Sequence, residues 1–190
     1  MVREFHKTFG IKDSESPTIP DVKTCDLRLS LIAEEYEELE DEIGKSNIVG
    51  VADALADLRY VIEGCALVCG VDLVKVNHDI EICGSPSIPV SRHFRSAIDL
   101  IGFVLDDLFV AFEYDEIQGV TKSLSEMRGL VEEISLQCGI DLDACTAEVH
   151  RSNMTKLDAG GNVLRREDGK VLKSDLFEPP NLAKVLGIAN

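Results

Sequence analysis

The chain has 190 residues, and 45% of them are hydrophobic. This is enough apolar surface for the core of one compact domain, and it excludes disorder throughout the chain. Lys and Arg total 19 against 35 Asp and Glu, giving a formal net charge of −16, which argues against nucleic acid as a partner. No apolar run has the length of a membrane span and the N-terminus does not read as a signal peptide, so we expect no membrane partner.

Six cysteines lie at positions 25, 65, 69, 83, 138 and 145, and none of them forms a Cys-x-x-Cys pair. This density is too low for the disulfide framework of a small secreted protein. We expect the thiols to fill the core as small apolar groups. A reducing, cytoplasmic compartment is therefore predicted.

The predicted elements are helices, because no stretch alternates strictly between apolar and polar residues. Residues 1–22 are predicted to be irregular. Asp21 or Thr24 caps the first helix, Gly44 ends it and Gly70 ends the second. The tail from about residue 158 is expected to form a small hairpin or an extended arm. Helices are predicted over about 24–42, 47–69, a short stretch after Asp72, 92–114, 116–138 and 141–155, with a break at the prolines of 84–91.

The most informative feature of the sequence is an internal repeat, found by sliding the chain against itself by 69 positions. Leu31, Ile32 and Leu39 then fall on Leu100, Ile101 and Leu108. The segment Cys-Gly-Val-Asp-Leu at 69–73 falls on Cys-Gly-Ile-Asp-Leu at 138–142. Matched positions are mainly apolar sites and turns, so the repeat predicts two copies of one helical hairpin that cover each other's apolar faces.

Several carboxylates of the first copy are absent from the second copy. Phe103 and Val104 stand in the places of Glu34 and Glu35, and Lys122 stands in the place of Asp53. Carboxylates that only one copy keeps are not needed for the shared fold, and this makes them candidates for function.

Helical spacing brings these acids together. Glu35, Glu38 and Glu42 form one stripe on the first helix, and Asp53 and Asp57 are i, i+4 neighbours on the second. Carboxylates that converge inside a hairpin are costly unless a cation pairs them. Oxygen-only ligands select Mg²⁺ or Mn²⁺ rather than Zn²⁺. A di-iron site is disfavoured, because no His follows an acid at the Glu-x-x-His spacing.

Two runs, LIAEEYEELEDE at 31–42 and VADALADLRYVIEG at 51–64, resemble the all-α NTP pyrophosphohydrolase superfamily. This superfamily includes MazG, the dimeric dUTPases and phosphoribosyl-ATP pyrophosphohydrolase. The sequence looks most like the MazG-like branch with a C-terminal signature, which also opens with a segment similar to VREFHKTFG at 2–10. Here the signature reads EVHRSNMTKLD at 148–158, REDGKVLK at 166–173 and FEPPNL at 177–182.

This resemblance implies a single all-α domain over 1–190, a helical bundle of two tandem MazG-like hairpin repeats. Repeat one spans about 22–83 and holds the acidic site, repeat two spans about 92–157, and an irregular C-terminal arm covers 158–190. It also implies a homodimer.

The metal ligands implied by the resemblance are Glu35, Glu38 and Asp57, with Glu34 as an acidic neighbour. The sequence departs from the pattern at Ala54, where the family has Glu. Asp53, one residue earlier, is the expected substitute.

The implied reaction is Mg²⁺-dependent hydrolysis between the α- and β-phosphates of a nucleoside triphosphate, such as dUTP or a non-standard nucleotide, to a monophosphate and pyrophosphate. Glu34 or Glu35 is the candidate base for the attacking water. The matching tail suggests that Arg151, Asn153 and Lys156 bind the phosphates. The alternatives are a helical module that binds nucleotide or metal without turnover, which the Ala54 departure motivates, and a structural scaffold with an acidic surface.

Overall fold

The computed structural model describes residues 1–73, 86–89 and 91–188. Within these ranges every regular element is a helix, which confirms the predicted all-α class. The predicted short helix after Asp72 lies outside the described residues, as do Cys83 and residues 84, 85 and 90 of the predicted break. The elements are α1 (Val2–Thr8), α2 (Val22–Gly44), α3 (Ile48–Cys69), α4 (Arg92–Glu113), α5 (Ile117–Gln137), α6 (Leu142–Asn153), a 3₁₀ turn (Met154–Lys156) and α7 (Leu182–Val185).

Local signals in the sequence set the helix ends. The Asp21 carboxylate accepts a hydrogen bond from the Thr24 amide at 3.1 Å and caps α2. Gly70 ends α3 in the left-handed conformation, with φ of 65°, which glycine adopts without steric cost. Ser91 caps α4 by accepting from the Phe94 amide at 3.1 Å.

The prediction that residues 1–22 are wholly irregular is wrong, because α1 forms there. Its apolar residues recur at helical spacing, and Val2, Phe5 and Phe9 are buried. The Phe5 and Phe9 rings stack with centroids 4.2 Å apart, and Phe5 also meets the edge of Tyr60 on α3 at 5.7 Å. Burial of this face stabilises a helix that is too short to persist alone.

The backbone repeats with the offset found in the sequence. α2 ends at Gly44 and α4 at Glu113, while α3 begins at Ile48 and α5 at Ile117, so both bounds differ by 69 residues. The two non-glycine residues with positive φ, among those described, are Ser46 and Asp115, both at 55° and again 69 apart. The two hairpins therefore share one turn geometry. They pack through α2 against α4 and α3 against α5.

Helix α3 is the centre of the bundle. It contacts α1, α2, α5, α6 and α7, and residues such as Leu55, Leu58 and Ile62 are fully buried. The five cysteines among the described residues are buried and free, as expected for core-filling thiols. No helix within the described ranges is long and apolar enough to cross a membrane.

The segment that follows the 3₁₀ turn folds back over α1 and α2. It contains a small antiparallel turn, in which Arg165 and Val171 form an isolated bridge. The Lys23 ammonium donates to the Glu167 carbonyl at 3.0 Å, and the Arg165 guanidinium donates to the Phe9 carbonyl. We call residues 157–188 the C-terminal segment. Its turn is anchored across the hairpin that carries the predicted acidic site.

Candidate functional site

The α2–α3 hairpin brings the predicted acidic residues into electrostatic contact. Burial and the negative charges of Asp57 and Glu38 raise the pKa of Glu35. Burial and the charges of Asp53 and Glu38 raise the pKa of Asp57. Burial, with Glu38 and Glu42 nearby, raises the pKa of Asp53 to about 6. We call Glu35, Glu38, Asp53 and Asp57 the carboxylate cluster.

This cluster costs folding energy as long as no cation neutralises it. Desolvation is the largest cause of the raised pKa for Glu35, Asp53 and Asp57, and each also feels at least one other carboxylate. The Asp53 Oδ1 atom is buried and has no hydrogen-bond partner among the described residues. A buried acceptor without a partner is uncommon in native proteins and calls for an explanation such as an ion.

A cleft of about 600 Å³ opens beside the cluster. Its walls come from α1, α2, α3, the end of α6 and the C-terminal segment. This volume lies within the range of small-molecule sites. The polar residues that line it include His6, Arg28, Glu35, Asp57, Asn153 and Lys156.

Two lysines that line the cleft supply positive charge close to the carboxylates. Lys156 is on the 3₁₀ turn, and Lys170 is on the turn of the C-terminal segment. Both ammonium groups lower the pKa of Glu35 and so oppose the effect of the neighbouring acids. Burial lowers the pKa of Lys156. A cleft with carboxylates and ammonium groups close together suits a ligand that carries both metal ions and phosphates.

Asn153, which we predicted to contact the phosphates, lines the cleft. It is at the end of α6 and only 7% exposed. Its side chain makes no hydrogen bond to any other described residue. A buried amide that faces a cavity without a partner offers two donors and one acceptor to a ligand.

Four predicted site residues do not line the cleft. Glu38 and Asp53 act on it through their charges, which raise the pKa of Glu35 and Asp57, and Glu38 is exposed.

Arg151 and Glu34 bind other residues. The Arg151 guanidinium does not line the cleft; it binds Glu148 at 2.9 Å and Glu178 at 3.0 Å. Arg151 therefore ties the C-terminal segment to α6, and we correct its expected role as a phosphate contact. Glu34 also does not line the cleft, since its carboxylate pairs with Lys170 and, at 3.5 Å, with Arg166. Glu34 holds the turn that carries Lys170.

Several polar residues of the cleft were not among the predicted site residues, and they include His6, Arg28, Arg165 and Lys170. His6 lies in the segment that was predicted to be irregular. Arg165 and Lys170 lie in the tail, whose path over α2 has no local sequence signal. Arg28 could have been identified from the internal repeat, because the second copy has Ala97 at the corresponding position. The asymmetry that identified Glu35 and Asp53 also applies to Arg28.

The donor set fits a hard cation. Its four side chains offer only carboxylate oxygens, which Mg²⁺ and Mn²⁺ prefer, and the unpartnered Asp53 Oδ1 is one of them. The described residues contain no group of three potential ligands already gathered around one point. Binding an ion therefore requires the carboxylates to rotate towards each other, which their position on facing helices allows.

The comparisons with known proteins concern the family and the general function. Residues 2–81 match the model of the phosphoribosyl-ATP pyrophosphohydrolase family, which confirms over this range the resemblance to the all-α NTP pyrophosphohydrolases. The match supports a nucleotide pyrophosphohydrolase-like function in general.

A relative along the full length is Uncharacterized protein L479 of Acanthamoeba polyphaga mimivirus. It is 27% identical over 241 aligned residues, which cover 97% of this chain and 94% of the relative. No solved structure matches the chain.

Proposed function

We propose that this protein is a Mg²⁺-dependent nucleoside triphosphate pyrophosphohydrolase. It cleaves the α–β anhydride of a nucleotide such as dUTP or a non-standard dNTP and releases a monophosphate and pyrophosphate. The observation that carries the proposal is the carboxylate cluster beside a cleft that Lys156 and Lys170 also line. The family matched by residues 2–81 is named for the hydrolysis of a nucleotide pyrophosphate bond.

Each group of the site has a role in this reaction. Glu35, Glu38, Asp53 and Asp57 would hold Mg²⁺, or Mn²⁺, which supplies charge neutralisation on the non-bridging phosphate oxygens. Lys156 and Lys170 donate hydrogen bonds to phosphate oxygens. The amide of Asn153 adds a neutral donor.

The proton of the attacking water needs a base that lines the cleft. Of the two candidates, Glu35 lines it and Glu34 does not. Glu34 is also engaged by Lys170 and Arg166, so we assign the base to Glu35.

The proposal is tested by Glu38→Gln and Asp57→Asn, with Glu37→Gln as the matched control. Glu37 and Glu38 are both exposed on α2 and neither lines the cleft, but of the two only Glu38 raises the pKa of Glu35, Asp53 and Asp57. We expect Mg²⁺-dependent turnover to be abolished in the first two variants and kept in the control, while circular dichroism shows all three folded. Full activity of Glu38→Gln or Asp57→Asn, or unfolding of both, contradicts the assignment.

The alternative function is a module that binds nucleotide or metal without turnover. The observation that favours it is Ala54, which stands where the family pattern has Glu and is 1% exposed in the core. This alternative predicts that nucleotide and Mg²⁺ raise the melting temperature while no product forms. Product formation by the wild-type protein rules it out.

We also propose a homodimer that forms through the outer face of α4. This face exposes large apolar side chains at helical spacing, including Phe103, Val110 and Tyr114, which are 67%, 48% and 69% exposed. Apolar stripes of this kind commonly mark protein interfaces. Sedimentation analysis is expected to give twice the chain mass for the wild type and a monomer for Phe103→Glu. A monomeric wild type contradicts the proposal.

A further inference from the structure

The inner end of the cleft contains a buried arginine that pairs with no other residue in the described ranges. Arg28 is 6% exposed and lines the cleft. No hydrogen bond or ion pair joins its side chain to any other described residue, and its Nε atom is buried without a partner. Burial lowers the pKa of the guanidinium, although a guanidinium stays protonated in proteins. A buried cation in this state is costly unless a ligand supplies the acceptors.

Asp13, the carboxylate whose charge acts on Arg28, is already engaged. The Asp13 carboxylate binds the His6 Nδ1 atom at 2.5 Å and the Arg3 guanidinium at 3.2 Å. It therefore does not neutralise Arg28 by direct contact. The Arg165 guanidinium adds a second positive charge that acts on Arg28.

Glycine at position 64 keeps room for this group. A Cβ atom at Gly64 would lie 3.2 Å from the His6 Nε2 atom and 3.4 Å from an Arg28 Nη atom. Both the arginine and the histidine therefore approach the backbone of α3 closely. The repeat has Glu133 at the position of Gly64 and Ala97 at that of Arg28, so the shared fold needs neither residue.

The distance between Arg28 and the carboxylate cluster identifies the part of a nucleotide it faces. Arg28 precedes Glu35 by seven residues on α2, and Gly64 follows Asp57 by seven on α3. Seven residues are about two turns, so both pairs keep the same face and are separated by about 10 Å along the helices. A phosphate anhydride at the cluster would place the nucleobase, rather than the pyrophosphate, about this far away.

The walls around Arg28 suit a planar base. The cleft contains apolar side chains such as Phe5, Leu27 and Val68 together with Tyr60. Apolar walls with few polar groups orient heteroaromatic ligands. A guanidinium fork pairs with acceptors such as O6 and N7 of guanine, whereas adenine presents an amino donor beside its N7 acceptor.

We propose that Arg28 determines base specificity: its guanidinium donates to the carbonyl oxygen of the nucleobase, so the site prefers oxo-bases such as guanine or uracil over adenine. This inference rests on the proposed function, because it requires a nucleotide in the cleft. A phosphate group also carries oxygen atoms that could accept hydrogen bonds from Arg28. The experiment therefore distinguishes binding of the nucleobase from binding of a phosphate.

The experiment measures dissociation constants by calorimetry with Mg²⁺ and the α,β-methylene analogues of GTP, UTP and ATP. In these analogues a methylene group replaces the oxygen between the α- and β-phosphates, so this link cannot be hydrolysed. Inorganic tripolyphosphate is the base-free probe. The variants are Arg28→Met and, as a matched control, Arg59→Met; Arg59 is a partly buried arginine that pairs with Glu63 and Asp143 outside the cleft.

We expect the wild type to bind the GTP analogue about 10- to 100-fold more tightly than the ATP analogue, in line with one bidentate contact to O6 and N7. The UTP analogue, which offers the O4 carbonyl alone, should also bind more tightly than the ATP analogue, by a smaller factor. Arg28→Met abolishes this preference and leaves tripolyphosphate affinity unchanged, and Arg59→Met keeps the preference. The melting temperature of Arg28→Met stays equal or rises, since an unpaired buried charge is removed. A purely structural role would lower it.

Three results overturn the inference. The first is an unchanged base preference in Arg28→Met. The second is equal or absent binding of all three analogues by the wild type. The third is a loss of tripolyphosphate affinity in Arg28→Met as large as its loss of affinity for the nucleotide analogues. That result would make Arg28 a phosphate ligand instead. If Arg28→Met fails to fold, Arg28→Lys replaces it, because lysine keeps the charge without the fork; an unchanged preference then also refutes the inference.

The same experiment separates this inference from the proposed function. Hydrolysis of unmodified nucleotides is measured in parallel. No hydrolysis together with Arg28-dependent base preference removes the enzymatic proposal and leaves the specificity assignment intact. Hydrolysis without such preference does the reverse.

Discussion

Replacing Asp53 by asparagine tests the carboxylate cluster through stability as well as activity. Asp53→Asn keeps the shape of the side chain and removes its charge. Burial and the nearby Glu38 raise the pKa of Asp53 from 3.8 to about 6. Because its pKa is higher in the folded state, Asp53 stabilises the fold only while it is protonated, and this contribution is lost as the pH rises from about 4 through about 6.

The size of the effect follows from this difference of about two pH units. One unit corresponds to about 1.4 kcal/mol, so the ionised Asp53 costs at most about 3 kcal/mol at pH 8. Removing the charge from a domain of this size is expected to raise the melting temperature by several degrees, up to about 10 °C. At pH 4.5 the gain should be small.

Thermal unfolding followed by circular dichroism, at pH 8 and pH 4.5, measures this effect. In EDTA at pH 8 we expect Asp53→Asn to be more stable than the wild type. With Mg²⁺ the wild type should gain stability and the variant should gain less, because a ligand is missing. Turnover should be lost in the variant.

Glu42→Gln is the comparison variant for this experiment, since Glu42 is a neighbouring carboxylate that acts on Asp53 through its charge and is not a predicted metal ligand. Hydrogen bonds from Lys45 and Asn47 lower the pKa of Glu42, so its charge stabilises the α2–α3 turn. We expect this variant to be less stable than the wild type and to keep the full effect of Mg²⁺. A destabilised Asp53→Asn in EDTA at pH 8, or one that responds to Mg²⁺ like the wild type, would refute the reasoning.

Three further predictions concern the cleft and the core. Gly64→Ala places a Cβ 3.2 Å from the His6 Nε2 atom, so it should weaken nucleotide binding, and unchanged affinity in calorimetry would show that the inner end is not used. Lys170→Met removes the ion pair with Glu34 and should raise the Michaelis constant for nucleotide with little change in melting temperature; an unchanged constant argues against a phosphate contact. Leu108→Ala empties a fully buried position and should cost about 2–5 kcal/mol in urea unfolding, whereas a cost below 1 kcal/mol would contradict its place in the core.

The helices were predictable because their signals are local. Capping residues such as Asp21, stop signals such as Gly70 and apolar spacing all act within one or two turns. The internal repeat added information of longer range, because it separated residues needed by both hairpins from residues kept in one. Glu35 and Asp53 emerged as candidates in this way, before any three-dimensional arrangement was known.

The rest of the site depends on contacts between distant segments. Helix α1 is short, and its stability comes from burial of Phe5 against Tyr60, which local patterns do not report. The C-terminal segment reaches α2 through Lys170 and Glu34, residues 136 positions apart. Arg151 was assigned to the phosphates from its motif, but its position beside Glu148 and Glu178 depends on how that segment folds back.

The central claim is that this chain hydrolyses the α–β anhydride of a nucleotide, and product analysis tests it most directly. Purified protein is incubated with a panel of NTPs and dNTPs, first with Mg²⁺ and then with EDTA, and the products are separated by ion-exchange chromatography. We predict equal amounts of monophosphate and pyrophosphate from at least one nucleotide, formed with Mg²⁺ and abolished by EDTA. Release of orthophosphate in place of pyrophosphate, or no product from any member of the panel, would contradict the claim.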